Sequence, residues 1–218
     1  MRLIVLFISI MSLGSLSAQQ FYVEVGRVGS GFDYEDSNGD GIDNIFPEQH
    51  FTYAVGYRHT VSEIFYPTLG IVYSTYGAYG SDNFYDNSYS WRVGYVGFSI
   101  GVEGELYKRG PFRALIKLAF EPQFMTNGTQ TINGKVYDLR GMEQFENPFV
   151  FFKAGGGLNY CLNSTIALGL KYYYGKGFPM GSSPDPEVLR LNTHTVALGI
   201  TVSLGRCDYC FKSHFNKK

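Results

Sequence analysis

Three groups of residues in this chain have the types and spacing to do chemistry. The first lies in the stretch "EDSNGDGIDN", Glu35 to Asn44. Asp36, Asn38 and Asp40 alternate along it, Gly41 takes the turn position and Ile42 offers a carbonyl, which is the layout of a calcium loop. Pro47 stands where such a loop places its bidentate Glu, and Glu48 comes one residue late, so Asp43 is the carboxylate that would replace it. The alternative is a solvated turn, because Asp, Asn and Gly are also the commonest turn formers. The second group is Cys161, Cys207 and Cys210. These could form a disulfide with one thiol left over, stay free, or, with His214, hold zinc short of a fourth ligand. The third is a set of charges placed singly among small residues: Glu24, Arg58, Glu103, Glu105, Lys117, Glu121, Lys153 and Lys171. What those eight can do depends on the face of the element that carries each.

The elements are strands. Apolar residues alternate with polar or small ones in eight segments, the period of a strand with two unlike faces. Phe21, Val23 and Val25 oppose Tyr22, Glu24 and Gly26; Phe51, Tyr53, Val55 and Tyr57 oppose Thr52, Ala54, Gly56 and Arg58. Leu69, Ile71 and Tyr73 oppose Gly70, Val72 and Ser74. In the fourth segment Trp91, Val93 and Tyr95 are followed by Phe98, Ile100 and Val102 in the opposite phase, which predicts a bulge near Val96 and Gly97. The last four segments alternate without a break around Lys117, Lys153, Lys171 and Ala197. The connections after the second, fourth and sixth strands are short ("SEIF", "KRGP", "NS"), whereas the others are long and polar, each about a dozen residues. That sorting predicts an all-β, eight-stranded, antiparallel up-and-down transmembrane β-barrel with short periplasmic turns and long extracellular loops.

Composition agrees. There are 18 Tyr, 18 Phe and 27 Gly but one Trp, and apolar residues are spread thinly, as strands facing lipid on one side require. A formal charge of −1 supplies no field to recruit nucleic acid. The opening "MRLIVLFISIMSLGSLSAQQ" has the charged start, apolar middle and small residue of a secretory signal peptide, with cleavage expected after Ala18. The expected organisation is therefore a signal peptide over 1–18, a barrel over 19–205 and a periplasmic Cys-containing tail over 206–218.

In this pattern the chain resembles the small OmpA/OmpX/OmpW-type barrels, and its aromatic, Gly-rich style and "AQQ" start are similar to the outer membrane beta-barrel proteins of Bacteroidota. The resemblance implies residence in the cell outer membrane with lipid as the surrounding partner. It departs in two places: a tail follows Gly205, and no wall-binding domain is expected after the barrel.

Inside so narrow a barrel there is room only for side chains, so the four acids and four bases are expected to pair and to keep the lumen closed. The outward face would carry Trp91, Tyr53, Tyr73, Tyr95, Tyr172 and Tyr174 at the headgroup level. The functional expectation is a structural or protein-interaction barrel, an accessory subunit of a larger outer-membrane complex that meets an outer-membrane protein partner through its loops or tail. The alternatives are a narrow ion or solute channel and a lipid-modifying barrel enzyme. For the latter, His50 beside Glu48 and His194 beside Thr195 are the rim histidines, but the His and Ser spacing of the lipid A deacylase barrels is absent. No cofactor is expected apart from calcium in the first loop.

Overall fold

The computed structural model describes residues 19–35, 45–82, 87–140, 147–181, 188–204 and 210. Nine strands appear among them: β1 (Gln19–Glu35), β2 (Ile45–His59), β3 (Phe65–Asp82), β4 (Asn87–Arg109), β5 (Phe112–Ile132), β6 (Lys135–Asp138), β7 (Phe149–Cys161), β8 (Ile166–Pro179) and β9 (Val188–Leu204). All pairings are antiparallel. β4 pairs with both β3 and β5, so eight strands close into a ring and β6 stands outside it as an arm on β5. Closure leaves no unpaired backbone edge in the ring, which is the condition for crossing a bilayer with strands.

The register fixes the shape. A walk across the hydrogen bonds from Phe21 passes through Tyr57, Leu69, Ile100, Phe120, Phe152, Lys176 and Asn192 and returns to β1 at Gly31. The ring is thus staggered by ten residues, from position 21 to position 31. With ordinary strand rise and spacing, that stagger tilts the strands by about 40°. Alternate residues obey the two-faced pattern. Phe21, Val23, Val25, Val55, Ile71, Leu118, Leu170 and Leu198 are exposed around the outside, while Glu24, Arg58, Lys117 and Lys171 are buried inside. An exposed apolar belt around a buried polar interior inverts a soluble protein and suits lipid.

Three expectations are corrected. No bulge occurs in β4 near Val96 and Gly97, because the β3–β4 register runs unbroken from Phe65↔Gly104 to Asp82↔Asn87. The irregularities lie on the other side, against β5, at Gly94/Tyr95 and Glu105/Tyr107. At the first of these the hydroxyl of Thr126 donates to the Gly94 carbonyl (3.0 Å). Val93 and Tyr95 therefore keep the inward phase and are buried, so Tyr95 is not part of the outward aromatic belt. Trp91 shares that phase and packs against the interior cluster. Finally, three of the four long connections, 36–44, 83–86 and 180–187, are shorter than a dozen residues because the strands continue past the apolar belt, and the third in order, 133–148, contains β6.

β2 carries its own irregularity between Pro47 and Thr52 in its pairing with β3. Ser30 of β1 fills the gap. Its Oγ accepts from the Gly77 amide (2.9 Å) and donates to the Gly77 carbonyl (2.8 Å), satisfying two backbone groups that β2 does not reach.

Candidate functional site: a lumen in two layers

Strand phase points every inward side chain at the same axis, and the stagger stacks these side chains in layers. The layer toward the short turns is ionic. Arg58 from β2 donates through Nη1 to Glu103 Oε2 of β4 (2.7 Å) and through Nε to Gln20 Oε1 (2.5 Å). Lys171 from β8 donates to Glu24 Oε1 (2.7 Å) and to Glu103 Oε1 (3.0 Å). Lys117 from β5 lies 3.6 Å from that same Glu103 oxygen, with its ammonium over the rings of Tyr22 (4.9 Å) and Tyr173 (5.5 Å). Glu103 thus answers three cations, and it is 1 % exposed. Tyr173 adds a hydroxyl donor to Glu24 Oε2 (3.2 Å). Closer to the turns, Arg113 binds both oxygens of Glu105 (3.0 and 3.1 Å).

Above this network stands a separate pair: Lys153 meets Glu121 Oε2 at 2.7 Å, and Gln123 donates to the same oxygen (3.0 Å). Between the two groups a cavity of about 30 Å³ is lined by Lys117, Glu121, Lys153, Thr52, Ser99 and Thr195. Ala54, Val72, Ala119 and Ala197 also line it, so it is of mixed character, and its volume is about that of a single water site rather than of a path.

The layer toward the loops is apolar. Val28, Tyr76, Val93, Tyr95, Leu139, Phe149, Phe151 and Leu191 form one buried cluster. Tyr76 stacks on Phe151 (5.0 Å between centroids) and Tyr95 meets Phe149 edge-on (5.7 Å). Tyr76 ties the layers together by donating its hydroxyl to Gln123 Oε1 (3.0 Å). Leu139 enters from outside the ring, just past β6. Its amide bonds the Gly128 carbonyl (3.0 Å), and its side chain is 0 % exposed.

All eight charges expected inside lie inside, and the structure joins them into the network and the two pairs just described. Among the described residues Arg113 is the buried charge missed, although its phase one step from Leu115 on β5 already pointed it inward. At the turn end Cys161 is bonded to Cys210 and packs with Tyr66 and Ala167. Cys161 ends β7 and Cys210 follows β9, two strands that do not pair, so the bridge joins the turn-side end of the ring to the tail. Cys207 lies outside the described residues, as do Asp36, Asn38, Asp40, Ile42 and Asp43 of the first loop and residues 1–18. Among the described residues no cluster has the ligands for a metal ion.

The rim histidines are engaged. His50 Nε2 lies 3.1 Å from Glu48, which also faces Arg92 at 3.8 Å. Ser30, the register partner of Glu48, has its hydroxyl committed to Gly77 and is not poised as a nucleophile. His194 Nδ1 is bonded to the Tyr172 hydroxyl (2.7 Å).

No protein-family model and no curated protein sequence matches the chain. Solved structures do. The outer membrane protein OprG from Pseudomonas aeruginosa aligns over 87% of this chain and 97% of its own, with 9% identity and a TM-score of 0.51. Neisserial surface protein A aligns over 84% and 96%, at 11% identity and a TM-score of 0.48. Ail of Yersinia pestis aligns over 85% and 99%, at 10% identity and 0.40. The chain has the fold of the small outer-membrane β-barrels, with eight antiparallel strands in a ring, short turns at one end and longer connections at the other.

Proposed function

We propose that this protein is an outer-membrane scaffold that acts through its extramembrane surfaces, as a structural or protein-interaction barrel and an accessory subunit of a larger outer-membrane complex. The observation that carries the reading is the filled lumen: an ionic network below and an aromatic cluster above, the latter stoppered by Leu139. A selective pore is lined by charges of one sign along an open path. Here acids and bases answer one another, and the space left between them is about 30 Å³. The extension of β3, β4 and β5 beyond the apolar belt, with β6 added, supplies an ordered surface for contacts outside the membrane.

Two measurements on the whole protein test this. In planar bilayers the purified barrel should give no stepwise conductance; steps abolished by neutralising Lys117 or Glu121 would establish the channel reading instead. A tagged chain extracted in mild detergent should bring down a stoichiometric outer-membrane partner. Recovery of a lone, heat-modifiable monomer would remove the subunit role.

A further inference from the structure

Cations on the outward face near the loop end are gathered on one side of the barrel. Arg27 of β1, His194 of β9 and Lys176 of β8 are all exposed on that face. Lys176 pairs in register with Asn192, and Arg27 pairs with Val196. His194 lies between Asn192 and Val196 on β9, which makes it the diagonal neighbour of both cations, about 7–8 Å from each backbone. The corresponding outward positions of β3, β4 and β5 hold Tyr73, Thr75, Val96 and Phe124, none of them charged. Arg92, farther out on β4, is turned toward Glu48. Among the described residues neither Arg27 nor Lys176 makes an ion pair.

The three groups are held for use. The Arg27 guanidinium rests over the Phe51 ring at 5.1 Å. When the Tyr172 hydroxyl donates to Nδ1 of a neutral His194 ring, the proton sits on Nε2, leaving an N–H donor for a ligand. Between them the floor is open: the nearest atom to a Cβ built on Gly29 is Gln49 Cγ at 4.0 Å. Directly below, toward the belt, are Tyr53, Tyr172, Val196 and Leu198, all exposed. A cationic cradle with an uncovered floor, resting on an aromatic and aliphatic wall at the outer edge of the bilayer, fits one ligand chemistry. That chemistry is a phosphate carried on an acyl chain, the head bound by charge-assisted hydrogen bonds and the tail lying on the wall.

We infer that the outward face of β8, β9 and β1 is a binding site for the phosphorylated head of an outer-leaflet lipid, with Arg27, His194 and Lys176 as its donors. The test uses the full chain in detergent micelles, titrated with phosphorylated lipid A and with the same lipid after phosphatase treatment, and read by native mass spectrometry. The phosphorylated form should bind about tenfold more tightly or better. The double variant Arg27→Gln/Lys176→Gln should bring the two forms to parity, whereas Lys135→Gln, on the exposed β6 arm, should leave the preference intact. Gly29→Glu is the independent check: it places a carboxylate on an open floor without disturbing packing and should also abolish the preference. Preference retained in both the double variant and Gly29→Glu would overturn the site. Displacement of the lipid by excess inorganic phosphate would overturn the lipid assignment in favour of a free-anion site.

Discussion

The two layers of the lumen fill the same tube by opposite means. In the turn-side layer the members are charges, hydroxyls and the Gln20 amide, whose burial is tolerable only because the others are present: Glu103 is shared by Arg58, Lys117 and Lys171. In the loop-side layer Tyr76, Tyr95, Phe149 and Phe151 hold by contact area and ring geometry, and no single partner is obligatory. The difference teaches where this barrel is brittle. An ionic core fails when one member is removed, because the remaining ions are stranded in low dielectric. An aromatic core fails in proportion to the volume lost.

The comparison can be broken at its strongest point first. Glu103→Ala removes the anion that three cations share, leaving Lys171 with Glu24 and Arg58 with the Gln20 amide, and should cost about 3–5 kcal/mol in reversible unfolding from micelles. A loss near that of an ordinary surface change would mean that water screens the network. The tail bridge comes next. Cys161→Ser should lower stability by about 2–4 kcal/mol through the lost cross-link, with Cys210→Ser matching it and the double variant adding nothing more. Smaller still, Phe151→Leu should cost about 1 kcal/mol, since the cluster can re-form around a side chain of similar size. If it cost as much as Glu103→Ala, the contrast between the layers would disappear. The smallest effect lies outside the membrane, on the β6 arm. Arg140 hydrogen-bonds Asp138 and holds its carboxyl at about 2, below the usual carboxylate range. With a lowered value in the folded arm, the pair persists above the ordinary carboxylate range and is lost between about pH 4 and pH 2. Carbonyl-carbon NMR of Asp138 should show that midpoint, while Asp138→Asn should leave the barrel's melting unchanged.

Much of this was legible in the sequence, and the failures lie where the two-faced alternation stops. The stretches of the ring strands that cross the apolar belt read correctly because lipid outside and small or charged residues inside give unlike faces. β4 misled because its loop-side half points Val93 and Tyr95 into an apolar lumen, so both faces there look like the outside. The upper halves of β3 and β4 read as loop because, beyond the lipid, Tyr, Asn, Ser and Gly no longer alternate with an apolar series. Inward charges were found by phase alone, and Arg113 needed only the same rule applied one step earlier. The partner of Cys161 could not be read, because Cys210 lies on no strand whose register places it.

The ten-residue stagger has a consequence for how this sequence can change. Because each position along a strand flips the side chain to the other face, a closed ring must meet itself after an even number of residues. Its permitted lengths therefore come in steps of two. A single inserted or deleted codon in a ring strand has no whole-barrel remedy and must be confined to a local bulge, as at Thr126 of β5 or between Pro47 and Thr52 of β2. Paired insertions can be absorbed by re-threading the ring, and in a library of random indels the survivors within the strands should show that parity.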